Sequence, residues 1–91
     1  MNYKVKFTKR FQRERKLMKK RGMQMDLLEN VIDLLREGKT LPMQHQDHPL
    51  TGDYTGFREC HIKPDWLLIY LIEKNVLVLT LMRTGTHSDL F

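Results

Sequence analysis

The stretch His48–Trp66, HPLTGDYTGFRECHIKPDW, gathers the side chains best suited to chemistry. His48 opens a loop holding Pro49, Gly52 and Gly56; His61 ends a strand-like run beginning at Phe57; Asp65 lies in a tight Lys63-Pro64-Asp65 turn. Such loop edges hold the backbone while letting side chains reach a ligand. Arg83 and His87, near the end of the chain, turn the set into a constellation. Cleaving RNA without a metal needs a base for the 2′-hydroxyl, an acid for the leaving 5′-oxygen and a cation for the phosphorane charge. Histidine can serve as either base or acid near neutral pH, and arginine binds phosphate oxygens bidentately. Each acid or base is worth roughly 10²–10⁴ in rate, so an independent pair would supply about 5–11 kcal/mol.

Plainer readings of the same residues compete with this one. A lone loop histidine is most often polar surface, and His45 has no further role to assign. His45-x-x-His48 with Cys60, His61 or Asp65 offers zinc ligands, but the spacing matches no tight ligand pair. Cys60 and His61 are neighbours on a strand and point to opposite faces, which argues against a Cys–His catalytic pair. Trp66 and Phe57 suit a core. Phe91, as the last residue, either packs on the domain or stacks on a base.

The elements that must position these groups follow from periodicity. Tyr3, Val5 and Phe7 alternate with Lys4 and Lys6, a short strand with one wet face. Thr8 suits an N-cap for a helix over Lys9–Arg21 that stops at Gly22, with a thin apolar stripe of Phe11, Leu17 and Met18. Leu27, Leu28, Val31, Ile32 and Leu35 recur at helical spacing and give a second helix ended by Gly38. The short connection makes the helices antiparallel neighbours. Lys39–Gly56 is a long loop without sustained periodicity, a length usually functional or disordered. Three strands follow, about Phe57–Ile62, Trp66–Ile72 and Val76–Arg83, joined by short turns. The last two are apolar on both faces and belong mid-sheet. The expected architecture is α+β: a small two-layer β-α-α-β-β-β domain spanning residues 1–91, its mostly antiparallel sheet carrying two helices on one face. In that meander the first and third strands run parallel, so His61, the Asp65 turn and Arg83 meet at one end.

Composition narrows the partners. The chain has 91 residues, 41% apolar and 30% charged, with a single cysteine, so one small core and no internal disulfide framework are expected. No apolar run is long enough to span a bilayer and the basic N-terminus lacks an apolar region behind it, which favours a soluble cytoplasmic protein without membrane contact. Residues 1–21 hold ten Lys/Arg against the single acid Glu14, a balance of +9. Residues 22–91 hold six against ten acids, a balance of −4. A solvated helix face usually carries partners of opposite sign, so this bias points to an anionic partner: RNA, DNA or an acidic protein.

Several strings resemble one family. Asp47-His48-Pro49-Leu50, Gly52-Asp53-Tyr54, Gly56, Arg58-Glu59-Cys60-His61-Ile62, Pro64-Asp65-Trp66-Leu67-Leu68-Ile69-Tyr70 and the ending Arg83–Phe91 are similar to the YafQ family of bacterial toxins. These belong to the RelE-like superfamily of toxin–antitoxin ribonucleases. The resemblance spans nearly the whole chain, the N-terminal half contributing weakly. It implies a RelE-like fold and an endoribonuclease that cuts mRNA on the translating ribosome and is neutralised by a cognate antitoxin. It places His48, His61, Asp65 and His87 on the family's catalytic positions and Arg83 on its phosphate-binding arginine. Phe91 falls on its terminal aromatic that helps place the substrate base. Trp66 falls on a tryptophan assigned to support of the site and counted with Arg83 and Phe91 among the substrate-binding residues.

The reading that joins these strands is a ribosome-dependent endoribonuclease acting by metal-independent acid–base catalysis, with no cofactor. Lys9, Arg10, Arg13, Lys16, Lys19 and Lys20 would contact rRNA phosphates, and the same surface would take an acidic antitoxin segment that folds on binding; DNA would be met only through the antitoxin complex. The alternatives are a non-enzymatic basic nucleic-acid-binding module or co-repressor, which needs no poised acid–base pair, and a zinc-dependent hydrolase. Arg83 and His87, at or beyond the last strand's end, are expected to be removable without loss of folding.

Overall fold

The computed structural model describes residues 2–91, and its elements follow the order anticipated from periodicity, with two additions. They are β1 (Lys4–Phe7), α1 (Lys9–Lys20), α2 (Met25–Arg36), β2 (His48–Pro49), β3 (Arg58–Lys63), β4 (Trp66–Glu73), β5 (Val78–Gly85) and α3 (His87–Leu90). The sheet order is β1-β5-β4-β3-β2, antiparallel except where β1 lies parallel to β5. The additions are β2 and α3. Lys39–Gly56 is therefore not structureless: it makes single 3₁₀ turns at Met43–His45 and Gly52–Tyr54 and lends two residues to the sheet opposite Arg58 and Glu59.

Helix α1 starts where the Thr8 hydroxyl accepts the Phe11 amide, which satisfies one of the orphan donors of the first turn. Only Phe11 and Met18 of its stripe are buried; Leu17 is 42% exposed, because α1 rests on β5 along a line too narrow to cover it. The second helix buries Leu28, Val31, Ile32 and Leu35. Both helices cover one sheet face with Cys60, Ile62, Trp66, Leu68, Tyr70, Leu79 and Leu81. On the other face Leu67, Ile69 and Leu90 meet Leu50, Tyr54, Phe57 and Met82, so the long loop and α3 form a partial second cover. Strands β4 and β5 are buried on both sides and lie mid-sheet as expected.

Two departures from alternation matter. Val76 and Leu77 do not begin β5: Glu73 pairs with Val78, and residues 74–77 reverse the chain with Leu77 at φ 54°. Further along β5 the register skips Met82, since Ile69 pairs with Arg83 and Tyr70 with Leu81. Strict alternation would put Arg83 on the same face as Leu79 and Leu81, inside the helix-side core. The bulge turns it to the opposite face, a common use of bulges beside functional sites.

Candidate active site

Three imidazoles stand in a row on the face away from the helices. His61 comes from β3, His48 from β2 and His87 from the first position of α3. Ring centres are 6.3 Å apart for His48 and His61, and 5.8 Å for His61 and His87. Each has its Nδ1 against an oxygen acceptor: His48 at 2.6 Å from the Gln46 carbonyl, His61 at 3.2 Å from the Pro64 carbonyl, His87 at 2.6 Å from Asp65 Oδ1. An Nδ1 that donates there leaves Nε2 as the working nitrogen, so local bonding selects the tautomer and fixes the ring.

The meander puts the His61–Asp65 turn at the end of the sheet where β5 finishes, as inferred, and there Asp65 meets His87. The carboxylate accepts both the His87 amide, at 3.0 Å, and its ring Nδ1. These two bonds, the amide first, hold the Asp65 carboxyl below the usual carboxylate value. Glu59, which the sequence reading passed over, is 6% exposed and sits between two imidazoles, its Oε1 3.6 Å from His48 Nε2 and 3.7 Å from His61 Nε2. Its signal was available: Glu59 and His61 are two apart on one strand and share a face. The neighbouring Asp47 accepts hydrogen bonds from the Tyr70 hydroxyl and Arg58, which pins the loop just before His48. His45 is not idle surface either. It is half-buried, and its Nδ1 donates at 2.6 Å to the His61 carbonyl, covering the edge of β3 beyond β2.

Arg83 occupies a neighbouring group. It is 8% exposed, with Nη2 2.7 Å and Nε 3.2 Å from Glu14 Oε2, and Nη1 3.4 Å from the Tyr54 hydroxyl. Glu14 also accepts the Thr84 amide at 3.3 Å, capping the part of β5 that β1 does not reach. Among the described residues no hydrogen bond joins Arg83 to a histidine. Its depth puts a stability cost on the removal that was expected to leave folding intact, since Glu14 would lose its charged partner. Phe91 is 65% exposed yet meets Tyr54 edge-on at 6.1 Å, so it both packs on the domain and presents a ring.

Trp66 requires a correction as a substrate-binding residue. It has no exposed surface, lies on the helix side of the sheet and donates from Nε1 to Thr84 Oγ1 at 2.9 Å. It braces β4 against β5 and cannot touch substrate. Cys60 shares that side, and burial pushes its thiol up, away from thiolate reactivity. On α1, Lys9, Arg10, Arg13, Lys16, Lys19 and Lys20 are all exposed. Arg15 and Arg21 instead pair with Glu29 and Asp89.

The family model described as bacterial toxin of type II toxin-antitoxin system, YafQ, matches residues 3–91. The mRNA interferase toxin YafQ of Escherichia coli K12 is 36% identical over 88 residues, covering 96% of this chain and 94% of the relative. The toxin in the crystal structure of the E. coli DinJ–YafQ toxin–antitoxin complex is 35% identical and superposes with a TM-score of 0.91, covering 100% of this chain and 99% of that one. A metal-bound toxin from Helicobacter pylori is 41% identical, with a TM-score of 0.91 and full coverage of both chains.

Proposed function

The chain belongs to the YafQ family of bacterial type II toxins, and from that premise we propose that it is an mRNA interferase, an endoribonuclease that cuts translated mRNA on the ribosome. The observation that carries the mechanism is the row of His48, His61 and His87, each with Nδ1 anchored and Nε2 left to act. One Nε2 takes the proton of a 2′-hydroxyl, whose oxygen then attacks the adjacent phosphorus. A second gives a proton to the departing 5′-oxygen. The products are a 2′,3′-cyclic phosphate and a free 5′-hydroxyl, with no water consumed in this step. Asp65 orients His87, Glu59 holds the His48–His61 pair, Arg83 supplies positive charge to the phosphorane, and the exposed ring of Phe91 stacks on a substrate base.

The six exposed bases of α1 meet rRNA phosphates without reading sequence. The same helix borders a cleft of about 490 Å³ that mixes apolar Val5, Phe7, Phe11 and Ile32 with the bases Arg15, Lys16 and Arg36 and the acids Glu29 and Asp33. An acidic antitoxin segment folding onto this surface would find charge and apolar area together.

The test is primer extension on an mRNA incubated with purified protein, with and without ribosomes and with and without EDTA. Cleavage that needs translation, survives chelation and leaves cyclic phosphate ends is expected. Equal cutting of naked RNA would defeat ribosome dependence. Activity lost on chelation and restored by a metal would defeat the metal-independent mechanism, an outcome worth testing because an H. pylori relative is metal-bound.

A further inference from the structure

The basic helix also grips the catalytic end of the molecule from behind, through two residues the proposed function leaves out. Glu14 on α1 and Arg21, the helical-conformation C-cap just past its end, are seven residues apart, two helical turns, and so lie along one side. Glu14 holds Arg83 and the Thr84 amide. Arg21 forks onto Asp89, Nη1 at 2.7 Å from Oδ2 and Nη2 at 3.0 Å from Oδ1. Asp89 in turn accepts the Thr86 amide and hydroxyl, both at 2.9 Å, and so closes the capping box that starts α3. That helix is one turn long, carries His87 at its start and Phe91 just past its end, and is far too short to persist unaided. It stands on the capping box, on Leu90 at 7% exposure, and on Gly85, where a Cβ would come within 2.9 Å of the Asp89 Cβ.

We propose that Arg21 is a positioning residue: through its bidentate bond to Asp89 it braces α3 against α1, keeping His87 against Asp65 and beside His61. The inference rests on the ribonuclease reading for its kinetic consequence but not for its structural one. A single exposed ion pair ordinarily contributes little. This one is bidentate, joins residues 68 apart in the chain, and ends on the residue that caps the catalytic turn. The Asp89 carboxyl is held well below the ordinary carboxylate range, by Arg21 first and the Thr86 amide next, as expected of a committed partner. The alternative use of Arg21 is as one more phosphate contact, for which a lysine would serve nearly as well.

The experiment compares full-length wild type, Arg21→Ala and Arg21→Lys. The readouts are single-turnover cleavage on mRNA-programmed ribosomes and amide hydrogen exchange at Leu90 and Phe91, whose N–H groups close α3 on Thr86 and His87. Arg21→Ala should lower the saturating rate about 10- to 100-fold, as misplacement of a catalytic group by an ångström does, and leave the half-saturating ribosome concentration within about two-fold. Both amides should exchange faster. Lysine should not restore the rate, because an ammonium cannot fork onto a carboxylate. A loss confined to affinity, rescued by lysine and accompanied by a salt slope smaller by about one, would overturn the brace in favour of a phosphate contact. Unchanged rate and exchange would overturn it outright. A wild type that cuts no mRNA would defeat the function proposed above, while the exchange comparison, which needs no substrate, still decides the brace.

Discussion

Replacing Arg83 with alanine should destabilise this protein as well as remove its proposed phosphate contact. The guanidinium is nearly dry and carries the Glu14 carboxylate, and the two side chains are 9% and 15% exposed. Removing one partner of a fully buried pair costs about 3–5 kcal/mol, because the other charge is left without compensation. Glu14 keeps the Thr84 amide and some access to water, which lowers the expected cost to about 2–3 kcal/mol. For a domain of this size each kcal/mol moves the midpoint by about 4–8 °C, so Tm should fall by about 8–24 °C. Thermal and urea unfolding of Arg83→Ala, Glu14→Gln and the double variant form a cycle whose coupling should reach about 1–2 kcal/mol. His87→Ala, at a 54% exposed side chain, should stay within about 0.5 kcal/mol of wild type while losing cleavage. An Arg83→Ala protein as stable as wild type, with an additive cycle, would refute the idea that Glu14 and Arg83 support each other.

Three further outcomes follow from the same geometry. Trp66→Phe removes the donor to buried Thr84 and should cost about 1–3 kcal/mol in urea unfolding without weakening ribosome binding; weaker binding would return Trp66 to the substrate surface. The folded Asp89 carboxyl titrates below its ordinary value of 3.8, so the stability it confers is present above that value and is lost as acid reaches the folded value. Thermal unfolding followed from roughly pH 5 to 2 should show an acid limb that Arg21→Ala shallows, and an identical limb in both proteins would contradict the pairing. Reversing Lys9, Arg13, Lys16 and Lys20 to glutamate should weaken ribosome affinity and flatten its salt dependence by up to about three units of slope, whereas an unaltered slope would leave α1 a merely solvated face.

Periodicity and residue type carried much of this protein by themselves. The Thr8 cap, the α2 stripe, the doubly apolar strands expected over residues 66–72 and 76–83 (the second starting two residues late, at Val78), and the meander that brings the Asp65 turn to the end of the last strand all depend on neighbours close in sequence. Hairpins of known sense also put His61 and the Asp65 turn at the end of the sheet where the last strand finishes, whereas His48 and His87 joined them only through the family resemblance. What periodicity could not convey depended on contacts between distant segments. The two-residue strand at His48–Pro49 exists only because Arg58 and Glu59 offer an edge to pair with. Trp66 reads alike as site or core until the sheet has faces, and packing put it inside. The side on which Arg83 emerges was decided by one skipped residue, Met82, whose bulge reverses the alternation that sequence implies. Glu14 appeared as a lone acid in a basic helix. Folding made it the partner of Arg83 and the cap of a strand edge, because an unpaired amide and a nearly dry guanidinium must find an acceptor wherever the fold provides one.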